Sequence, residues 1–241
     1  MSNQGKWAIV TGGSRGLGYE TAKGLIAAGI FVYIIGKDEN RVKESGEKLG
    51  CQSRAVDVSD SEKFRKTLIE ITEDASGRGF DILDVLVLAH GVMSEKMSKT
   101  LKTTDHEWRR VMSINLDSVF TLVNGLVPAM VEARKGRVII YSACLGRMSG
   151  PGTAGGLAPY RISKAGVNAF VRNLAHETGL GSRGVLVDAI CPNHSATDMG
   201  GADAPRTAAE GAATANWLAL REFNPGDTTG VLWEDNTIVP W

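Results

Sequence analysis

Short runs of β-branched and aliphatic residues alternate along the chain with longer stretches in which apolar positions recur every three or four residues. The short runs predict strands at Trp7 to Val10, Phe31 to Ile35, Arg54 to Val58, Val85 to Leu88, Arg137 to Tyr141 and Leu186 to Ile190, with a seventh at Gly230 to Trp233. The longer stretches predict helices over Gly18 to Ala28, Glu39 to Leu49, Asp60 to Ala75, Asp105 to Arg134, Tyr160 to Gly179 and Thr207 to Leu220. Strands that are apolar on both faces and alternate with helices belong in a parallel sheet covered on both sides. The expectation is one α/β domain over residues 1–241, a doubly wound parallel sheet of six to seven strands in a three-layer αβα sandwich. Asp38 and Asp60 stand where helix N-caps belong.

In such a sheet, ligands bind beyond the carboxyl ends of the strands, where the strand order reverses. TGGSRGLG, residues 11 to 18, follows the first strand. Gly12, Gly16 and Gly18 permit a tight turn, a close backbone approach and tight packing of the next helix, whose N-terminal N–H groups would face a pyrophosphate. An ordinary strand-to-helix turn is the competing reading, and the position after the first strand of a βαβ unit weighs against it. After the second strand stand Gly36 and Lys37, with no carboxylate at the first place where one would grip unphosphorylated ribose. Lys37 and Arg15 then supply two cations for a 2′-phosphate, which favours NADPH over NADH. Asp38 is the rival as a ribose ligand. Asp57, in DVSD, suits either the adenine amino group or a turn cap.

Composition adds limits. Lys plus Arg number 27 and Asp plus Glu 27, so no long-range field favours nucleic acid or an anionic membrane, and the partner is expected to be a small molecule. Met1 to Lys6 is polar, and no apolar run approaches the ~20 residues of a membrane span, which points to a cytoplasmic protein. Cys51, Cys144 and Cys191 are odd in number and widely spaced, which implies neither a disulfide framework nor a metal site.

Tyr160 and Lys164, in YRISK, are one helical turn apart and share a helix face. A phenol titrates near ~10, too high for ready proton exchange at neutral pH, and a neighbouring ammonium is expected to lower it. Alone, a Tyr-x-x-x-Lys pair is commonplace on helix surfaces; here it follows the fifth strand.

Taken together, TGGSRGLG, DVSD, INLDSVF, YRISKAGVNAF and CPNHSATDMGG resemble the short-chain dehydrogenase/reductase family over essentially the whole chain, which implies a Rossmann-like fold and a dinucleotide cofactor. The resemblance implies that Tyr160 exchanges a proton with an alcohol or carbonyl oxygen while hydride moves to or from nicotinamide. Lys164 would hold the ribose, and Asn115 would kink the preceding helix and anchor a water. Ser14, Leu17, Val58, Ala89, Gly91, Pro192 and Thr197 join the glycine turn, Arg15, Lys37 and Asp57 as cofactor-binding positions. Asn193 to Arg206 would be the substrate lid, and the family's assembly would make the protein a homodimer or homotetramer.

The pattern also breaks. Ala143 stands where the family places a serine, with Ser142 one position early and able to serve only if the strand end is bulged. Leu88 and Ala89 replace two asparagines, and His90 replaces a small residue. His90 and His194 are either packing residues or substrate-pocket donors that replace the missing hydroxyl, with Cys144 beside them. Arg147, Arg161 and Arg206 are either acid-gripping or surface cations. The reading is an NADP(H)-dependent ketoreductase with Tyr160, Lys164, Asn115 and Ser142 as catalytic residues. Its alternatives are a cofactor-binding module with weak catalysis and a non-redox lyase on the same scaffold.

Overall fold

The computed structural model describes residues 5–95, 99–222, 224 and 226–241, so most of the polar start at Met1 to Lys6 lies outside the described residues. Eight strands form one sheet: β1 (Trp7–Thr11), β2 (Phe31–Gly36), β3 (Gln52–Ala55), β4 (Val85–Leu88), β5 (Gly136–Tyr141), β6 (Val185–Ile190), β7 (Leu232–Glu234) and β8 (Thr237–Val239). Their order is β3-β2-β1-β4-β5-β6-β7-β8, and all neighbours are parallel except β7 and β8. The sheet reverses its winding between β1 and β4, which makes the carboxyl ends of those strands the binding crevice. This is the Rossmann-like αβα fold, with eight strands instead of six or seven.

The helices are α1 (Gly16–Ala27), α2 (Glu39–Leu49), α3 (Ser61–Gly77), α4 (Asp105–Met112), α5 (Ser118–Glu132), α6 (Ala158–Glu177) and α7 (Ala208–Leu220). Side chains alternate between the two faces of each strand, and the core divides accordingly. Ile9, Ile35, Leu86 and Ile140 face α3, α5 and α6, while Val10, Ile34, Val87 and Tyr141 face α1, α2 and α7. Asp38 and Asp60 do cap α2 and α3, accepting from the Arg41 N–H at 2.8 Å and the Lys63 N–H at 3.1 Å. Thr207 caps α7 in a reciprocal capping box with Glu210.

Several boundaries differ from the sequence reading. β3 ends at Ala55, so Asp57 and Val58 lie past the strand and not in it. The β7–β8 hairpin turns through Asp235 and Asn236, both at positive φ, and adds an antiparallel edge whose side chains are largely exposed. α1 begins two residues early, at Gly16. The long helix expected over Asp105 to Arg134 is interrupted by a π-helical turn, Ser113–Asp117, between α4 and α5. Counted through that turn, Asp105–Glu132 is 28 residues long with a mean hydropathy of 1.4 in its most apolar window, half of it buried, so the chain does hold one helix with the length and composition of a span.

α7 is tied to the sheet by a buried charge. Asp188, on β6, accepts from Arg221 Nη2 at 2.8 Å and from Trp233 Nε1 at 3.0 Å, with the guanidinium over the Trp217 and Trp233 rings. Burial raises the Asp188 carboxyl to about 6 against these partners. Replacing Arg221 with Met should cost about 3–5 kcal/mol at pH 7, because one charge of a buried pair is left alone. The folded state favours the protonated carboxyl, so the deficit should shrink as pH falls through about 6. Urea denaturation at pH 7 and pH 5 measures both.

Candidate active site

The glycine turn is built as the sequence requires. Gly12 has φ +65°, and a Cβ there would stand 2.8 Å from the His90 nitrogen. A Cβ on Gly18 would meet the Gly12 carbonyl oxygen at 2.3 Å, so only glycine lets α1 come this close to the turn. Between this turn and the ends of β2 and β4 runs a groove of about 620 Å³. It is lined by Gly12, Ser14, Arg15, Gly16, Leu17 and Gly18, by Lys37, Asp57 and Val58, and by Ala89, Gly91 and Thr197. The long open shape, the glycine cradle and the cations at one end fit an extended dinucleotide.

Each predicted cation already has a carboxylate. Lys37 Nζ pairs with Asp57 Oδ2 at 2.7 Å, and Arg15 pairs with Asp198 of the Asn193–Arg206 loop. Burial works to raise the Asp57 carboxyl, but hydrogen bonds from Lys37 and Ser59 outweigh it and hold it down at about 2. Asp57 accepts from both the Ser59 N–H and hydroxyl, which makes it a turn cap as well as a groove residue. Arg41, which sequence reasoning passed over, also lines the groove and carries no ion pair among the described residues. Its signal was its place in the first turn of α2, four residues after Lys37.

A second cavity of about 350 Å³ adjoins the groove and shares Leu17, Ala89, His90, Gly91, Thr197 and Met199 with it. Tyr160 and Lys164 meet there. Their backbone is fixed from three sides: Ser94 Oγ accepts from the Tyr160 N–H at 2.8 Å, Ser163 Oγ donates to the Tyr160 carbonyl at 2.7 Å, and Asn115 Nδ2 donates to Ser163 Oγ at 3.0 Å. Asn115 also exchanges two bonds with the Val92 backbone, at 2.8 and 3.0 Å, from inside the π-helical turn. Lys164 Nζ donates to the Tyr141 carbonyl at 2.7 Å and lies 6.0 Å from the Tyr160 ring centre. A Cβ on Gly91 would stand 3.4 Å from Asn115 Oδ1 and 3.6 Å from Lys164 Nζ, so the three residues converge.

The expected lowering of the phenol by the ammonium is corrected here. Burial pushes the Tyr160 phenol up, and the nearby Cys144 and Cys191 thiols add to that. Burial also pulls Lys164 down to about 8. Desolvation therefore governs both groups, and each is driven toward its neutral form.

Ser142 is buried at the cavity wall and donates to Asn168 Oδ1 at 2.5 Å, with the Lys164 carbonyl at 3.3 Å, so its proton is held on α6 and not aimed at Tyr160. Ala143 occupies the wall beside it. His90 Nδ1 lies 2.5 Å from Thr11 Oγ1 and its Nε2 lies 2.6 Å from Ser118 Oγ. Ser118 donates its own proton to the Ile114 carbonyl at 2.7 Å, which makes Nε2 the ring donor and Nδ1 the acceptor. Burial, with the Lys164 charge, depresses the ring to about 3 and keeps it neutral. His90 is thus a brace between β1, β4 and α5, and the expectation of a free substrate donor fails for it. His194 lines the cavity, but its Nε2 donates to the Gly200 carbonyl at 2.7 Å.

Cys144, Pro192 and Thr197 line the cavity; of the two expected at the cofactor, Thr197 also lines the groove and Pro192 does not. Arg147, Arg161 and Arg206 do not line the cavity: they bind Glu234, the carbonyls of Leu145, Pro151 and Gly152, and Asp235. No group of three or more metal-ligating side chains occurs among the described residues.

The two histidines should separate in stability. His90→Ala removes one hydrogen-bond partner from each of two buried hydroxyls, Thr11 and Ser118, and should cost about 1–3 kcal/mol, whereas His194→Ala, in an exposed loop, should stay within about 0.5 kcal/mol. Chemical denaturation checks the contrast.

The comparisons agree with this geometry. The short chain dehydrogenase family model matches residues 6–207. The 3-oxoacyl-[acyl-carrier-protein] reductases of Salmonella typhimurium and Escherichia coli are each 33% identical over 201 residues, covering 83% of this chain and 77% of theirs. Among solved structures, a variant of actinorhodin polyketide ketoreductase with NADPH superposes with a TM-score of 0.81 at 22% identity, covering 96% of this chain and 95% of that one. A 3-oxoacyl-[acyl-carrier protein] reductase from Brucella melitensis gives 0.76 at 26% identity, covering 90% and 85%. On the family match over most of its length, with its glycine turn and its Tyr160 and Lys164 at one crevice, the chain belongs to the short chain dehydrogenase family.

Proposed function

We propose that the protein is an NADP(H)-dependent oxidoreductase that reduces a neutral ketone to an alcohol, with Tyr160 as the proton donor. The observation that carries this reading is the shared wall between the glycine-turn groove and the Tyr160 cavity. A cofactor in the groove supplies hydride at that wall when bound. Lys37, Arg15 and the unpaired Arg41 support a preference for a 2′-phosphate, because a charged hydrogen bond contributes about 1.5–3 kcal/mol. The reductase names of the two bacterial relatives favour the reducing direction.

The chain's own groups have defined parts. Tyr160, kept protonated by burial, gives its proton to the substrate oxygen as negative charge grows there. Lys164 keeps one donor on the Tyr141 carbonyl and turns the rest of its charge toward Gly91 and the ribose position. Asn115 and Ser142 hold α6 in place. Met93, Leu145, Pro192 and Met199 make the substrate wall apolar, and Arg147, Arg161 and Arg206, bound elsewhere, add no guanidinium to it. A cytoplasmic location belongs to the same proposal, as does a dimer or tetramer, the latter supported by the exposed Phe120 beside a groove between α5 and α6. The second reading, a cofactor-binding module, draws on Ala143 and the occupied Ser142 proton.

Fluorescence titration should show NADPH binding at least about 10-fold tighter than NADH. Turnover on a panel of neutral ketones should fall ~10²–10⁴-fold in Tyr160→Phe while NADPH binding persists. Because burial lowers the ammonium, Lys164 is charged below about 8, and kcat/KM should decline as pH rises through that value. Tight NADPH binding with no turnover on any ketone would favour the binding module.

A further inference from the structure

Two thiols that the proposed reaction leaves unused face the same cavity. Cys144 opens the short 3-10 turn after β5, and Cys191 directly follows β6. Those strands run in parallel register with Tyr141 opposite Ile190, and the Ser142 N–H donates to the Ile190 carbonyl at 2.8 Å. The Cys191 N–H is anchored in turn on the Trp233 carbonyl at 2.8 Å. The two strand ends are therefore locked side by side where they reach the cavity, and both cysteines line it with Tyr160. The Cys191 thiol has two acceptors in reach, the Cys144 sulfur and Asn193 Oδ1 at 4.0 Å.

We propose that Cys144 and Cys191 form a peroxide-sensitive dithiol, which closes to an intramolecular disulfide in the wall of the Tyr160 cavity and reversibly switches the site off. In the first step the Cys144 thiolate attacks a peroxide oxygen. A sulfur–oxygen bond forms, the oxygen–oxygen bond breaks and hydroxide leaves, so the sulfur is oxidised by two electrons and the peroxide is reduced. In the second step the Cys191 sulfur attacks that of Cys144. The disulfide bond forms, the sulfur–oxygen bond breaks, and the Cys191 proton leaves with the departing hydroxide as water.

The chemistry divides the two roles. The hydrogen bond from Cys191 and the backbone N–H groups of the turn pull the Cys144 thiol down against burial and the Glu234 carboxylate. The same bond and burial push Cys191 up. A thiolate with a neighbouring thiol that can resolve it, both reachable from a cavity, is the arrangement that peroxide oxidises selectively. Cys51 is an internal control: it is half-buried, away from the cavity, and burial raises it to about 11.

The test is stoichiometric hydrogen peroxide on the intact reduced protein, followed by digestion and mass spectrometry. The expected product is a cross-linked Cys144–Cys191 peptide pair lighter by two hydrogens, with Cys51 still reduced. Carbonyl turnover should be lost alongside and restored by dithiothreitol. In Cys191→Ser, oxidation should stop at a sulfenic acid on Cys144 that dimedone captures. Oxidation of Cys51 first, sulfinic acid on Cys144 without any cross-link, both thiols left reduced, or a cross-link that leaves turnover unchanged would each overturn the proposal. The peptide mapping needs no turnover, so a failure of the reductase reading stays distinguishable from a failure of this one.

Discussion

The site depends on one buried cation. Lys164 is 5% exposed, and an ammonium taken out of water is tolerated only where hydrogen bonds replace its hydration. The Tyr141 carbonyl, at the end of β5, provides one such bond at 2.7 Å. That bond fixes the helix carrying Tyr160 to the strand end, and the packing around it leaves no slack. A Cβ on Gly146 would stand 2.6 Å from the Lys164 carbonyl carbon, so the turn after β5 lies directly on α6. Ser142 and Asn168 close the same contact, with Asn168 Nδ2 donating to the Gly146 carbonyl at 3.1 Å.

The charge also explains the histidine beside it. A protonated imidazole near Lys164 would add a second buried cation, so burial and the ammonium together keep His90 neutral. A neutral ring offers one donor and one acceptor, and the Ser118 and Thr11 hydroxyls take one each. His90 thus restores polar links between strand ends where Leu88 and Ala89 have none to give. The cost is that it cannot also serve a substrate, so in the proposed reaction the task of meeting the substrate oxygen falls to Tyr160.

Much of the fold was legible because its strands are buried on both faces. The run VLVL gave β4 to the residue, and WAIV and FVYII gave β1 and β2 to within one. The misses are the strands that lack this signal. β3 reads QSRA and is half-exposed at the sheet edge, so the apolar pattern drifted to AVDV beyond it. β8 reads TIV on the opposite edge, although the Asp235–Asn236 pair before it was a usable hairpin signal. The π-helical turn has no hydrophobic signature at all, and Asn115 pointed to it through family resemblance alone. At the site, helical spacing was enough to join Tyr160 to Lys164. It could not show that Ser94 holds Tyr160 from 66 residues away or that Thr11 holds His90 from 79 away, because such pairs exist only once the sheet has formed.

In the proposed reaction a chain-held ammonium at the end of β5 organises hydride delivery to a carbonyl carbon. This is tested most directly with NADPH carrying deuterium at both C4 positions, a neutral ketone, and mass spectrometry of the alcohol. The protein should place one deuterium on the carbinol carbon, and Lys164→Met should transfer almost none. An alcohol free of deuterium, or transfer undiminished in Lys164→Met, would contradict the account.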